Sequence, residues 1–291
     1  MDERTSDGDI GDEPGDGADR NPETPIVDAT IREGVLQVRR PGTQWLSSGS
    51  DGGFRVADAA YNVSVPTGFS RTDLSTYVEE RRREAAFPEP GPALLTGLSL
   101  SHARGARHDP VCAVATAGLS NPAALPLAPD SEPDPAFDSD TSTESEPESS
   151  SHARSVSGND RSDNATETDD SPPLGTVNLL VTTDRALDDA GLATLLATAV
   201  EAKTATLLGR TGFPGTTSDA IVVGCDPDGE YEEFTGSATP VGAATRACVR
   251  AAVTGSLRSR YPDDGFPNTV AEAEYGVRTT RSTEPFRPSD P

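Results

Sequence analysis

The stretch GTVNLLVTTDRALDDAGLATLLATAVEAKTATLLGRTGFPGTTSDAIVVGC, residues 175–225, decides the fold. VNLLVTT is a run of apolar and β-branched residues of strand length. It is followed by a helical pattern from about Asp188 to Gly209, with Leu192, Leu195, Leu196, Ala199 and Leu207 on one stripe. DAIVVGC then reads as a second buried strand. Strand, helix, strand in this order predicts two strands of one sheet with a helix packed across them. Further on, VGAATRACVRAAV gives an amphipathic helix with Val241, Ala244, Thr245, Cys248, Val249 and Ala252 inward.

Upstream the pattern is different. GVLQVRR and TQWLSS are β-forming runs separated by Pro41-Gly42, a turn signal. DGG offers a tight turn, and DAAYNVSVP alternates until Pro66. Asp73 is placed to cap a helix through TDLSTYVEERRREAA, with Leu74, Tyr77, Val78 and Arg81 on one face. PALLTGLSL and VCAVATAG follow as buried strands. The expected class is α+β: a two-layer domain with a mixed β-sheet and packed helices, β-rich in its N-terminal half and β-α-β-α in its C-terminal half.

Charge divides the chain. It has 291 residues and a formal net charge of −24. Residues 1–30 hold ten acids against two bases, and residues 128–172 hold thirteen against two. Both stretches are too poor in apolar residues for burial to offset ordering entropy. The expected organisation is a disordered acidic tail (1–25), a first half-domain (26–127), a disordered acidic insertion (128–173), a second half-domain (174–261) and a polar tail containing prolines (262–291).

Of 24 basic residues only Lys203 is a lysine. An acidic chain nearly devoid of lysine suits a protein of halophilic type, because in molar salt the Debye length shrinks to roughly 3 Å and neighbouring carboxylates barely repel. A nucleic-acid partner is disfavoured, since no basic patch exists to neutralise phosphates. No positively charged start precedes an apolar run, and no stretch reaches 18 uninterrupted apolar residues, so neither a signal peptide nor a membrane partner is expected. The cysteines, Cys112, Cys225 and Cys248, lack metal-like spacing and sit in apolar runs, which suits a reduced cytoplasm.

No P-loop, G-x-S-x-G elbow, H-E-x-x-H or dinucleotide fingerprint is present. The histidines are His102, His108 and His152, the last in the acidic insertion, so no three-histidine metal site and no bound metal are expected. Candidate chemistry lies elsewhere. Lys203 follows Ala199 by four residues and Leu196 by seven, which puts an ammonium within the apolar stripe. There it binds an oxygen or acts as a base, unless its stem packs while its head reaches water. Glu201 projects from the opposite side and faces small neutral residues, as cavity lining or as ordinary surface. In the loop before the second strand, Thr216, Thr217 and Ser218 offer a nucleophile and Asp219 a group that orients water, or else a flexible turn with Asp219 as cap. His102, Arg104 and Arg107 in HARGAR offer donors for carboxamides or a phosphate, or else form a polar loop. Asn62, Asn121 and Asn178, at the ends of or inside apolar strands, offer partners for carboxamides or ordinary turn bonds.

Taken in order, WLSSGSDGGF (45–54), YNVSV (61–65), ATAGLSNP (115–122), GTVNLLVTTDRALDDAGL (175–192), VEAKT (200–204), TTSDAIVVG (216–224) and FTGSATPVGAATRACV (234–249) resemble the adenosylcobinamide amidohydrolase family. The sequence departs from that family at Val200, where threonine is common, at Val63, where histidine is common, and at Ser218. The resemblance implies cleavage of the aminopropanol amide of adenosylcobinamide, giving adenosylcobyric acid in corrinoid salvage for cobalamin synthesis. The corrinoid would be the substrate, and no cofactor is implied. Lys203, Glu201, Asp219, Thr217 and Ser218 are the catalytic candidates, and Asn62, His102, Arg104, Asn121 and Asn178 the substrate-binding ones. A non-catalytic corrinoid-binding protein and an amidase for a different amide are the alternatives.

Overall fold

The structure, a computed structural model, describes residues 26–126, 175–263, 265–273 and 275–288. The tail 1–25 and the insertion 128–173, with His152, therefore lie outside the described residues.

The main sheet has eight strands: β1 (Asp28–Arg32), β2 (Val35–Ser47), β3 (Gly53–Ser64), β4 (Ala93–Thr96), β5 (Arg104–His108), β6 (Val111–Ala117), β8 (Val177–Thr183) and β10 (Ala220–Cys225). Their order is β4-β3-β2-β10-β8-β6-β5, with β1 paired to β2. β8 and β10 run parallel, as a strand-helix-strand unit requires, while β6 pairs antiparallel to β8 and β2 antiparallel to β10. The mixed sheet and the strand-rich first half agree with the sequence reading.

Three helices complete the domain: α1 (Leu74–Glu84), α2 (Asp189–Thr211) and α3 (Pro240–Arg260). α2 starts where Asp188 accepts the Gly191 N–H at 2.7 Å, and α3 where Thr239 accepts that of Gly242 at 3.0 Å, with Pro240 in its first turn. All six residues expected on the inner face of α3 are buried. So are Ala199 and, each worth roughly 1.5–3 kcal/mol, Leu192, Leu195 and Leu207 of α2. By length and composition α2 is apolar enough to cross a membrane, with a mean hydropathy of 1.2, yet these residues pack into the protein core against the sheet and α3.

Alternation along the strands separates two cores. Val177, Leu179 and Val181 of β8 face α2 and α3, together with Ile221 and Val223 of β10. Leu180 and Val222 point the other way and meet Leu36, Val38, Trp45, Ala60 and Leu94 from β2, β3 and β4. The sheet thus folds back on itself, and α1 covers the far side, with Tyr77 among Val35, Ala59, Tyr61 and Val63. Trp45 is fully buried at the fold. A Cβ on Gly224 would come within 2.5 Å of its ring, so the β10 backbone must be bare there.

Three local expectations are corrected. Pro41-Gly42 does not end a strand: β2 runs through it, and the register with β3 shifts between Arg39 and Thr43. A bulge accommodates the proline and lets a long strand bend, which a turn signal alone does not distinguish. Asp73 does not cap α1 with its side chain; its carboxylate takes Arg71 at 2.6 Å instead. The buried residues of α1 are Tyr77 and Arg82, whereas Arg81 binds Glu84 at the surface.

A second, small sheet joins β7 (Pro122–Ala124), β9 (Gly215–Thr216) and β11 (Val277–Arg278). The polar C-terminal segment thereby contributes an edge strand, with β7 between it and the loop that precedes β10.

Candidate active site

One end of the main sheet gathers the end of β6, the start of β8 and the loop before β10. Lys203 reaches this end from α2. Its ammonium is buried and pairs with the Asp219 carboxylate. Asp219 also accepts the Val177 N–H at 3.0 Å, the Thr216 hydroxyl at 2.5 Å and the Thr216 N–H at 3.2 Å. Four donors therefore converge on one carboxylate. Gly215 lies directly over the pair: a Cβ there would stand 2.6 Å from Asp219 Oδ2 and 3.1 Å from Lys203 Nζ.

Beyond that brace the loop presents Thr217 and Ser218, both exposed. Asn121, at the end of the ATAGLSNP segment, is buried and donates from Nδ2 to Thr217 Oγ1 at 2.5 Å and more weakly toward Ser218 Oγ at 3.5 Å. Its Oδ1 is buried with no hydrogen-bond partner among the described residues, and an unpaired acceptor costs about 1–3 kcal/mol to hold in such a place. Thr176 Oγ1 donates to the Ser218 carbonyl at 2.8 Å and to Asn178 Oδ1 at 3.3 Å. Asn178 in turn donates to Asn62 Oδ1 at 2.9 Å and to the Leu95 carbonyl at 2.8 Å, and Asn62 donates to Thr116 Oγ1 at 2.9 Å. A chain of polar contacts thus runs from β3 across β8 to the hydroxyl loop.

Seven of the ten residues singled out from the sequence meet here: Lys203, Asp219, Thr217, Ser218, Asn121, Asn178 and Asn62. Three do not. Glu201 lies on the exposed face of α2 and binds Arg246 of α3 at 2.5 Å, which holds its carboxyl below the usual range. The expectation of an uncharged setting fails because Arg246 is 45 residues away in sequence and arrives only through helix packing. His102 and Arg104 both bind Ser259 Oγ near the end of α3, at 3.1 and 2.6 Å. Burial, followed by the nearby Arg260 and Arg104, pushes the His102 imidazole below its ordinary value. None of these three contacts the Asn121–Thr217 cluster through the bonds they make.

Residues missed from sequence are Thr116, Thr176 and Ser48. Ser48 Oγ accepts the Ile221 N–H at 2.9 Å and ties the end of β2 to the start of β10, two residues beyond Asp219. Hydroxyl residues at strand ends carry no periodic signal, so only the fold reveals them. Among the described residues no group of three or more His, Cys, Asp and Glu side chains is arranged to hold a metal.

Hydroxyls oriented by an amide, beside a loop braced by a buried ion pair, are groups suited to acyl transfer, and the class they fit is that of amide hydrolases. The chain belongs to the adenosylcobinamide amidohydrolase family, whose model matches residues 22–264. It is 46% identical over 265 residues to the adenosylcobinamide amidohydrolase of Halobacterium salinarum, a match covering 90% of this chain and all of that relative. No solved structure matches it.

Proposed function

We infer that the protein hydrolyses the aminopropanol amide of adenosylcobinamide, releasing adenosylcobyric acid and (R)-1-aminopropan-2-ol in corrinoid salvage. Family membership across most of the chain is the observation that carries this reading.

The site suggests how the chain's own groups take part. The Thr217 hydroxyl, held by Asn121 and open to solvent, attacks the amide carbonyl carbon, directly or through a water it positions. The carbonyl π electrons move to oxygen, giving a tetrahedral oxyanion. The C–N bond then breaks, and the amine leaves with the proton given up by the nucleophile. If an ester has formed, water cleaves it to the carboxylic acid and restores the hydroxyl. Lys203 and Asp219 act behind this step: with the carboxylate bound to both Thr216 and Val177, the pair fixes where Thr217 and Ser218 stand. Glu201, His102 and Arg104 have no part in this scheme.

The corrinoid is the substrate in this reading, and no cofactor, nucleic-acid partner or membrane partner is invoked. A salt-rich cytoplasm is the proposed setting, supported by the acid excess and the single lysine.

The test is incubation of purified protein with adenosylcobinamide in high-potassium buffer, followed by mass spectrometry. Adenosylcobyric acid is the expected product, lost in Thr217→Ala. Unchanged substrate with folded protein would overturn the reading.

A further inference from the structure

On the far side of β4 from the polar network lies a cleft of about 200 Å³, lined by residues including Ser50, Asp51, Ser75, Arg82, Gly91 and Leu95. Arg82 of α1 is 8% exposed, yet it has no ion pair among the described residues. Its Nη1 donates to the Phe87 carbonyl at 2.6 Å, the one acceptor the guanidinium has among the described residues. A guanidinium carries five N–H donors, so most of its capacity is unspent. Its remaining N–H groups are not among the enclosed, unpartnered polar atoms, so they lie open toward the cleft that Arg82 lines.

The surroundings indicate what kind of group would replace it. The acids on the cleft are already engaged: Asp51 accepts the Ser75 hydroxyl at 2.5 Å, and Glu79 pairs with Arg83. Arg55 and Arg82 bring two positive charges against the two carboxylates of Asp51 and Glu79, so the cleft is electrically balanced. A neutral oxygen acceptor fits that balance better than a phosphate or another anion. The volume falls below the roughly 300 Å³ at which sites for whole drug-sized ligands begin, so it accepts an arm of a ligand and not a macrocycle.

The cleft is also wired to the hydroxyl cluster. The Leu95 carbonyl accepts the Asn178 amide, while Leu95 itself lines the cleft. Ser50 lies two residues after Ser48, which bonds to Ile221 at the head of β10.

We propose that this cleft is a specificity subsite for one peripheral carboxamide arm of the corrinoid, with Arg82 donating to the amide oxygen. The assignment rests on the corrinoid reading above. An enzyme that must recognise one amide among several on the same ligand gains from anchoring a second one at a set distance from its nucleophile.

Two variants test it with adenosylcobinamide as the probe. Ser75→Trp fills the cleft from an exposed position on α1, and Arg82→Gln removes the charge. The expected result is a KM raised at least tenfold in both, with kcat within twofold and, for Ser75→Trp, an unchanged melting temperature. A Ser75→Trp protein of wild-type stability with KM within twofold of wild type would overturn the subsite while leaving the hydrolysis intact. Absence of adenosylcobyric acid with the wild-type enzyme would overturn the corrinoid reading itself, and the subsite with it.

Discussion

Lys203 and Asp219 form an ion pair beneath the backbone of Gly215, and the same carboxylate bonds to its own loop at Thr216 and, across the sheet, to Val177 at the start of β8. Removing the cation leaves a largely buried carboxylate with its backbone and hydroxyl donors alone. Lys203→Met should therefore destabilise the protein by about 3 kcal/mol, the lower end of what breaking a buried pair costs. It should also lower kcat on the order of 10²-fold, the scale of a small misplacement of reacting groups. In denaturant unfolding the double variant Lys203→Met, Asp219→Asn should recover part of the stability without recovering the rate. A single variant as active as wild type would remove the pair from the mechanism.

Thr217 and Ser218 are adjacent and both exposed, but Asn121 holds the first far more closely than the second. Thr217→Ala should cost on the order of 10³-fold or more in kcat, and Ser218→Ala less than about tenfold. The reverse ranking in steady-state assays would transfer the nucleophile to Ser218.

Glu201 is tied to Arg246 and Ser237 on the surface. Glu201→Gln should leave kcat/KM within about threefold of wild type, as expected of an exposed pair with no role in the chemistry. A loss beyond a hundredfold would restore it to the mechanism.

Burial raises all three cysteine thiols, with Cys248 pushed up to about 11. Since the thiolate is the reactive form, all three should resist alkylation near neutral pH and react once the chain is unfolded. For Cys248, labelling of the native protein should rise only as the pH approaches that value. Rapid labelling of Cys248 in native protein at neutral pH would contradict its burial.

Much of the second half was legible because its signals are local. The stripe of α2, the inward face of α3 and the β8 and β10 runs each declare themselves within 25 residues, and Lys203 stands out by sitting in such a stripe. What escaped depends on distant partners. Arg246 finds Glu201 only after α2 and α3 pack, and Ser259 draws His102 and Arg104 away toward the end of α3. The passage of β2 through Pro41-Gly42 also hid, because a bulge and a turn use the same residues. The three asparagines were visible as polar residues at strand ends, but their convergence needed the sheet to fold over.

That folding has a consequence for how the molecule assembles. Apolar layers such as Leu180 against Leu94 tolerate small slips, since one methyl contact exchanges readily for another. The Asn62–Asn178–Thr116 contacts do not: a shift by one residue along either strand would strand amides in a dry interior. The two leaves of the sheet therefore close in one alignment, much as a key seats in its ward, and that alignment also sets Thr176 beneath Ser218.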